Sequence, residues 1–204
     1  MKKLWTLLVV FVMAIIPAFA QEAEITVNPP QAASAVFALK GNATTGNKWT
    51  AVLLTDGVAH LTNPDGEYTV DEADEGMTGV GGTHRFELVA DAPGETVIIF
   101  RYGRAWEGST AQTLQYLVTV LEDGTMQVSE AAVLTGTVTE IDEENHLAFI
   151  KTENDEVLAR FPEDMMLPVQ DEELNIWYNG IMTLSLPAQI NVIGWETIPN
   201  ENAR

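Results

Sequence analysis

Apolar and polar residues alternate with period two along most of the chain, in short runs rich in β-branched and aromatic side chains. Val36–Leu39, Trp49–Leu54, Thr83–Val89, Thr96–Tyr102 and Leu114–Leu121 are such runs. Turn-forming clusters separate them: Asn63-Pro64-Asp65-Gly66, Ala92-Pro93-Gly94 and Asp123-Gly124. Short strands at this spacing predict an all-β sandwich or barrel. The pattern restarts near Ala131, with Leu134–Ile141, His146–Thr152, Val157–Phe161, Leu174–Tyr178 and Met182–Trp195 as further strands. Turns at Glu143-Glu144-Asn145, Asn154-Asp155 and Asn179-Gly180 join them, and the Asn-Gly pair is the strongest hairpin signal. Five strands in about 70 residues suit a small OB-like β-barrel or a compact sheet. Pro187 interrupts the last run, so an edge position or a bulge is expected there. No helical periodicity follows the N-terminal segment.

Residues 1–20 read as a secretory signal. Lys2 and Lys3 precede an apolar run from Leu4 to Ile16, and Ala18-Phe19-Ala20 supplies the small-residue cleavage site. The run is broken by Pro17 and falls short of the roughly 20 residues that span a bilayer. The expected organisation is a signal peptide (1–20), a first β domain, sandwich or barrel (21–126), a linker (127–132) and a small β domain (133–204). The mature protein is expected to be secreted or otherwise extracytoplasmic, monomeric and without stable membrane anchoring after signal cleavage.

Composition removes many alternatives. The 204 residues include 10 Lys and Arg against 30 Asp and Glu, a formal charge of −20, and no cysteine. Such acidity opposes nucleic-acid binding. The absence of cysteine excludes disulfides, thiolate metal sites and a thiol nucleophile. His60, His84 and His146 lie too far apart in sequence for metal-ligand spacing. Asp71, Glu72, Asp74 and Glu75 cluster before a glycine-rich loop, but lack the Asp-x-Asp-x-Asp-Gly spacing of a calcium loop. Ser34, Ser109, Ser129 and Ser185 occupy no Gly-x-Ser-x-Gly elbow. Gly79-Val80-Gly81-Gly82 has no βαβ context for dinucleotide binding. The inventory predicts no enzyme, no cofactor and no metal. Trp49 reads as sandwich core. Trp177, Tyr178 and Trp195 read as core sooner than as a ligand face.

Three connections in the first domain carry the functional signal. Gly41-Asn42-Ala43-Thr44-Thr45-Gly46-Asn47-Lys48-Trp49 holds stiff threonines between permissive glycines. Gly76-Met77-Thr78-Gly79-Val80-Gly81-Gly82 is a backbone-rich tip that another surface can approach closely. Tyr102-Gly103-Arg104-Ala105-Trp106-Glu107-Gly108 sets an Arg and a Trp, both favoured at binding hot spots, on one turn.

The series Asn42-x-Thr44-Thr45-Gly46-x-x-Trp49, Gly79-x-Gly81-Gly82-Thr83 and Arg104-x-Trp106 resembles the chagasin-type inhibitors of papain-like cysteine proteases over about residues 25–122. The resemblance implies an immunoglobulin-like sandwich whose three loops lie side by side and plug the protease cleft. It assigns protease contact to Asn42, Thr44, Thr45, Gly46, Gly79, Gly81, Gly82, Arg104 and Trp106. Thr44 and Thr45 would sit beside the catalytic cysteine, while the other two loops grip the flanks. Ala43, Asn47 and Ala105 depart from the family, which usually has Pro, an aromatic and Pro there. Losing two prolines predicts looser loops in the free inhibitor. The second domain, through Leu134–Ile141 and Tyr178–Ile190, resembles a small uncharacterised domain of secreted Gram-positive bacterial proteins. The rival reading of the whole is a non-inhibitory adhesion or scaffold module, since fold does not fix function.

Overall fold

The computed structural model describes residues 24–27, 33–72, 79–104 and 107–199. Among them are fourteen β-strands, one 3-10 turn and no α-helix. The first domain is a sandwich of two antiparallel sheets. One sheet is ordered β1 (Glu24–Val27), β2 (Ser34–Gly41), β6 (Gly82–Ala90), with β4 (Ala59–Leu61) and β5 (Glu67–Val70) lying end to end along the far edge of β6. The other is ordered β3 (Lys48–Leu53), β7 (Gly94–Arg104), β8 (Ser109–Val120), β9 (Met126–Glu130). Alternate residues from both sheets point inward. Phe37, Leu39, Trp49, Phe86, Leu88, Ile98 and Phe100 are fully buried there, and the Phe37 and Phe100 rings lie 4.9 Å apart. The expected immunoglobulin-like sandwich is what forms.

The second domain is a closed five-stranded barrel, β10 (Ala132–Asp142), β11 (Leu147–Lys151), β12 (Glu156–Arg160), β14 (Ala188–Thr197), β13 (Glu173–Tyr178), returning to β10. Only the β12–β14 pairing is parallel. Val138, Ile150, Val157, Leu174, Ile176 and Val192 fill its interior. It is the OB-like barrel of the two forms expected.

Three local expectations differ from the structure. Residues 127–132 are no free connector. Met126–Glu130 pairs with β8, because Met126 and Val128 turn inward onto the sandwich core while Gln127 and Ser129 face away. The run from Met182 enters its strand only at Ala188. Before that, the Thr183 and Ser185 hydroxyls take local partners that compete with the ladder, and Pro187 has no N–H to offer it. Asn179-Gly180 opens this longer connection rather than a two-residue hairpin, since Tyr178 pairs with Val192.

The two domains share packed surface. Val97 to Phe100 are completely buried: Ile98 and Phe100 enter the sandwich core, whereas Val97 and Ile99 pack with Leu117, Ala131, Trp177 and Ile193 against the barrel. The Trp177 indole N–H donates to Gln115 Oε1 at 2.8 Å, the Thr55 hydroxyl donates to the Ile193 carbonyl at 2.9 Å, and Arg101 pairs with Glu196. A Cβ on Gly194 would stand 2.6 Å from Leu54 Cβ, so only glycine admits this approach.

Candidate functional site

The three connections singled out in the sequence meet at one end of the sandwich. The first joins β2 to β3 and is closed by the 3-10 turn Ala43–Thr45. Asn42 caps it. Its Oδ1 accepts from the Thr44 N–H at 3.0 Å and from the Thr44 hydroxyl at 2.6 Å. This satisfies an amide that a turn start otherwise leaves open. Gly46 ends the turn at φ 81°, left-handed backbone that favours glycine. The Thr45 hydroxyl donates to the Asn42 carbonyl at 2.6 Å and accepts from the Asn47 amide at 3.0 Å. The Asn47 side chain thus makes its bond inside the turn.

Side chains tie the other two connections to this turn. Asn42 Nδ2 donates to the Gly79 carbonyl at 2.8 Å, joining the loop between β5 and β6. Lys40 and Asp71 make an ion pair at 2.8 Å across the base of the same two loops. From the end of β7, Arg104 Nε donates to the Thr45 carbonyl at 3.2 Å, and its Nη1 pairs with Glu107 at 3.0 Å. Trp106 and Ala105, like Gly76 to Thr78, lie outside the described residues. So do Asp74 and Glu75 of the acidic cluster.

Gly79 and Gly81 belong to the second loop, but Gly82 is different. It is buried at the start of β6, and a Cβ there would meet the Thr69 carbonyl at 2.4 Å and the Tyr68 ring at 2.6 Å. Its service is to let β5 close over β6 and so bring Tyr68 beneath the central turn.

Two tyrosines form a floor that the sequence motifs do not include. Tyr102 Oη accepts from the Asn42 N–H at 2.8 Å, and Tyr68 Oη accepts from the Ala43 N–H at 3.4 Å. Trp49 is core, as expected. It packs on Tyr102 with ring centroids 5.1 Å apart, and its Nε1–H holds the Lys40 carbonyl at 2.8 Å. His84 packs against Tyr68 with ring centroids 4.6 Å apart and the planes tilted by 45°. Burial first, and the Lys48 charge second, hold the His84 pKa below the ordinary histidine value. The signal that could have exposed Tyr102 was its place directly before Gly103-Arg104. Tyr68 gave none.

Ala43, Thr44 and Thr45 of the central turn are exposed at this end. The hollow between the first two loops, lined by Lys40, Asn42, Asp71, Gly81 and Tyr102 among others, holds only about 240 Å³. That is below the roughly 300–1,000 Å³ of small-molecule sites. Among the described residues no group of three or more His, Asp or Glu is placed to share a metal ion. Exposed turn residues around a hollow this small suit contact with another surface more than enclosure of a small ligand. Residues 30–120 match the model of the chagasin family peptidase inhibitor I42. No curated protein and no solved structure matches the chain.

Proposed function

We propose that this chain is a secreted, monomeric, reversible inhibitor of papain-like cysteine proteases, occupying the active-site cleft with three loops. The match of residues 30–120 to an inhibitor family supports the class of function and of partner. The observation that carries the mode is the doubly tied central turn: Asn42 links it to the second loop and Arg104 to the third. A central turn linked to its neighbours at Gly79 and Arg104 before contact loses less freedom on binding, and that loss is a main cost of association.

In this reading Thr44 and Thr45 enter beside the catalytic cysteine, and Gly46 turns the chain out again. Gly79 and Gly81 offer backbone to one flank, with Gly82 shaping the seat below. Trp106 lies on the other flank beside Arg104. The turn survives because residues 43–45 are wound in a 3-10 turn stapled by their own hydroxyls. A thiolate needs a carbonyl in a near-attack arrangement, and a substrate lies extended. The inhibitor itself performs no bond chemistry.

The test is titration of papain and a cathepsin with the chain from Gln21 onward. One inhibitor should silence one active site, and full activity should return on dilution. Thr45→Arg, which drives a charge into the centre, and Trp106→Ala should each weaken inhibition by more than about 1–2 kcal/mol, at least fivefold to thirtyfold in Ki. No inhibition of either enzyme at micromolar concentration overturns the proposal.

A further inference from the structure

The connection between β13 and β14 contradicts the character of the rest of the molecule. In a chain of charge −20, Asn175 to Trp195 contains no Asp, Glu, Lys, Arg or His. The connection displays Ile181, Leu184 and Leu186 at 70%, 104% and 99% relative exposure. Soluble surfaces scatter single apolar residues, but a contiguous aliphatic tip marks a contact site.

This tip is built. The Ile181 N–H donates to Asn179 Oδ1 at 3.1 Å, and the Gln189 N–H to the Thr183 hydroxyl at 2.8 Å. Thr183 and Ser185 share a hydroxyl bond at 2.7 Å, and the Ser185 hydroxyl reaches the Pro187 carbonyl at 2.7 Å. Three of the loop's side-chain oxygens, on Asn179, Thr183 and Ser185, are thus satisfied within the loop, while its aliphatic groups face outward. With no ionised group to desolvate, the tip can enter the hydrated boundary of an apolar phase.

Three facts choose among occupants. Four aliphatic side chains, Met182 included, fall well short of the about 800 Å² per partner that stable protein interfaces bury, so a second copy is not held by them. The tip lacks the Tyr, Trp and Arg that anchor protein hot spots. The acidity of the remaining chain repels anionic surfaces but not neutral ones. The tip also points away from the inhibitory end. β14 meets Leu54 and Thr55, beyond the end of β3, through Gly194 and Ile193, and meets Arg101, near the third loop, through Glu196. It therefore runs toward the three loops, and its start lies on the opposite side.

We propose that Ile181, Leu184 and Leu186 insert shallowly into the interface of an electrically neutral lipid surface, a reversible contact rather than an anchor, leaving the three loops facing solution. This stands independently of the inhibitor reading. The chain from Gln21 onward should float with phosphatidylcholine vesicles at millimolar lipid, and several-fold less with phosphatidylserine-rich ones. The Leu184→Ser/Leu186→Ser variant should lose at least tenfold in partitioning. Because both side chains are solvent-exposed, its melting temperature and its effect on papain should equal those of the parent. Failure of the parent to float with neutral vesicles, equal flotation of the variant, or saturation of the loop by a purified protein while vesicles leave it untouched would each overturn the proposal.

Discussion

At Ala43 the chain has a residue whose replacement the geometry already accommodates. Ala43 is the first residue of the 3-10 turn, the position where proline's missing N–H is least costly and its fixed φ is already helical. Asn42 before it is extended, at φ −131° and ψ 95°, the conformation a following proline demands. The one bond lost is the long 3.4 Å donation to Tyr68. Ala43→Pro should therefore restrict the free loop without distorting it. A gain of about 0.4–1 kcal/mol is expected, a two- to fivefold lower Ki against papain. An unchanged or weaker Ki would show that the Tyr68 bond, or freedom to adjust, matters more than stiffness.

At the level of elements, the same turn rests on Tyr68 of β5 and Tyr102 of β7, and His84 of β6 is the titrating group packed beside that floor. It faces Tyr68 on β5 and feels Lys48 on β3. Its Nδ1 has no hydrogen-bond partner among the described residues. The folded state holds the ring neutral, with a pKa below the unfolded value of 6.5. Above pH 6.5 both states are neutral and nothing is lost. As the pH falls below 6.5, the unfolded chain takes the proton first, and stability declines until the folded pKa is passed. Thermal melts should show this decline as the pH falls from 6.5 toward the range where carboxylates begin to protonate. His84→Phe, keeping an aromatic on Tyr68, should flatten it. A parent melting temperature level across that window would refute the assignment. Neither this floor nor the pairing of the short strands was legible in the sequence. Runs such as Trp49–Leu54 and Thr96–Tyr102 declare themselves as strands by their β-branched and aromatic content. Glu24–Val27, Ala59–Leu61 and Glu67–Val70 are strands because long neighbours offer them an edge, which is a tertiary cause. The three motif loops were readable as turns because their Gly, Asn and Thr residues suit turns. Tyr68 and Tyr102 were not, because a tyrosine in a strand ordinarily means packing.

For the whole molecule, the decisive element is β7, which serves two cores at once. Val97-Ile98-Ile99-Phe100 is a continuous apolar run where a strand with one wet face would alternate, and it is the sequence trace of burial on both faces. Trp177 closes the second of those faces from the barrel side, with its indole N–H on Gln115. A sheet shared in this way makes the sandwich and the barrel a single cooperative structure, unlike domains joined by a wet interface. Calorimetry of the chain from Gln21 onward should show one transition. Trp177→Ala removes a buried side chain and leaves Gln115 without its donor, at about 3–5 kcal/mol. For a chain of this size that shifts the melting temperature of the whole by roughly 6–20 °C. Two separate transitions in the parent, with Trp177→Ala moving only the barrel's, would show instead that the domains fold apart. The coupling also bears on the site, since the strand braced by the barrel is the one that ends at Arg104. At 25 °C, where the variant stays folded, its inhibition of papain should remain within a few-fold of the parent's. Above its lowered midpoint, inhibition and barrel structure should disappear together, and persistence of inhibition after the barrel has melted would sever the link.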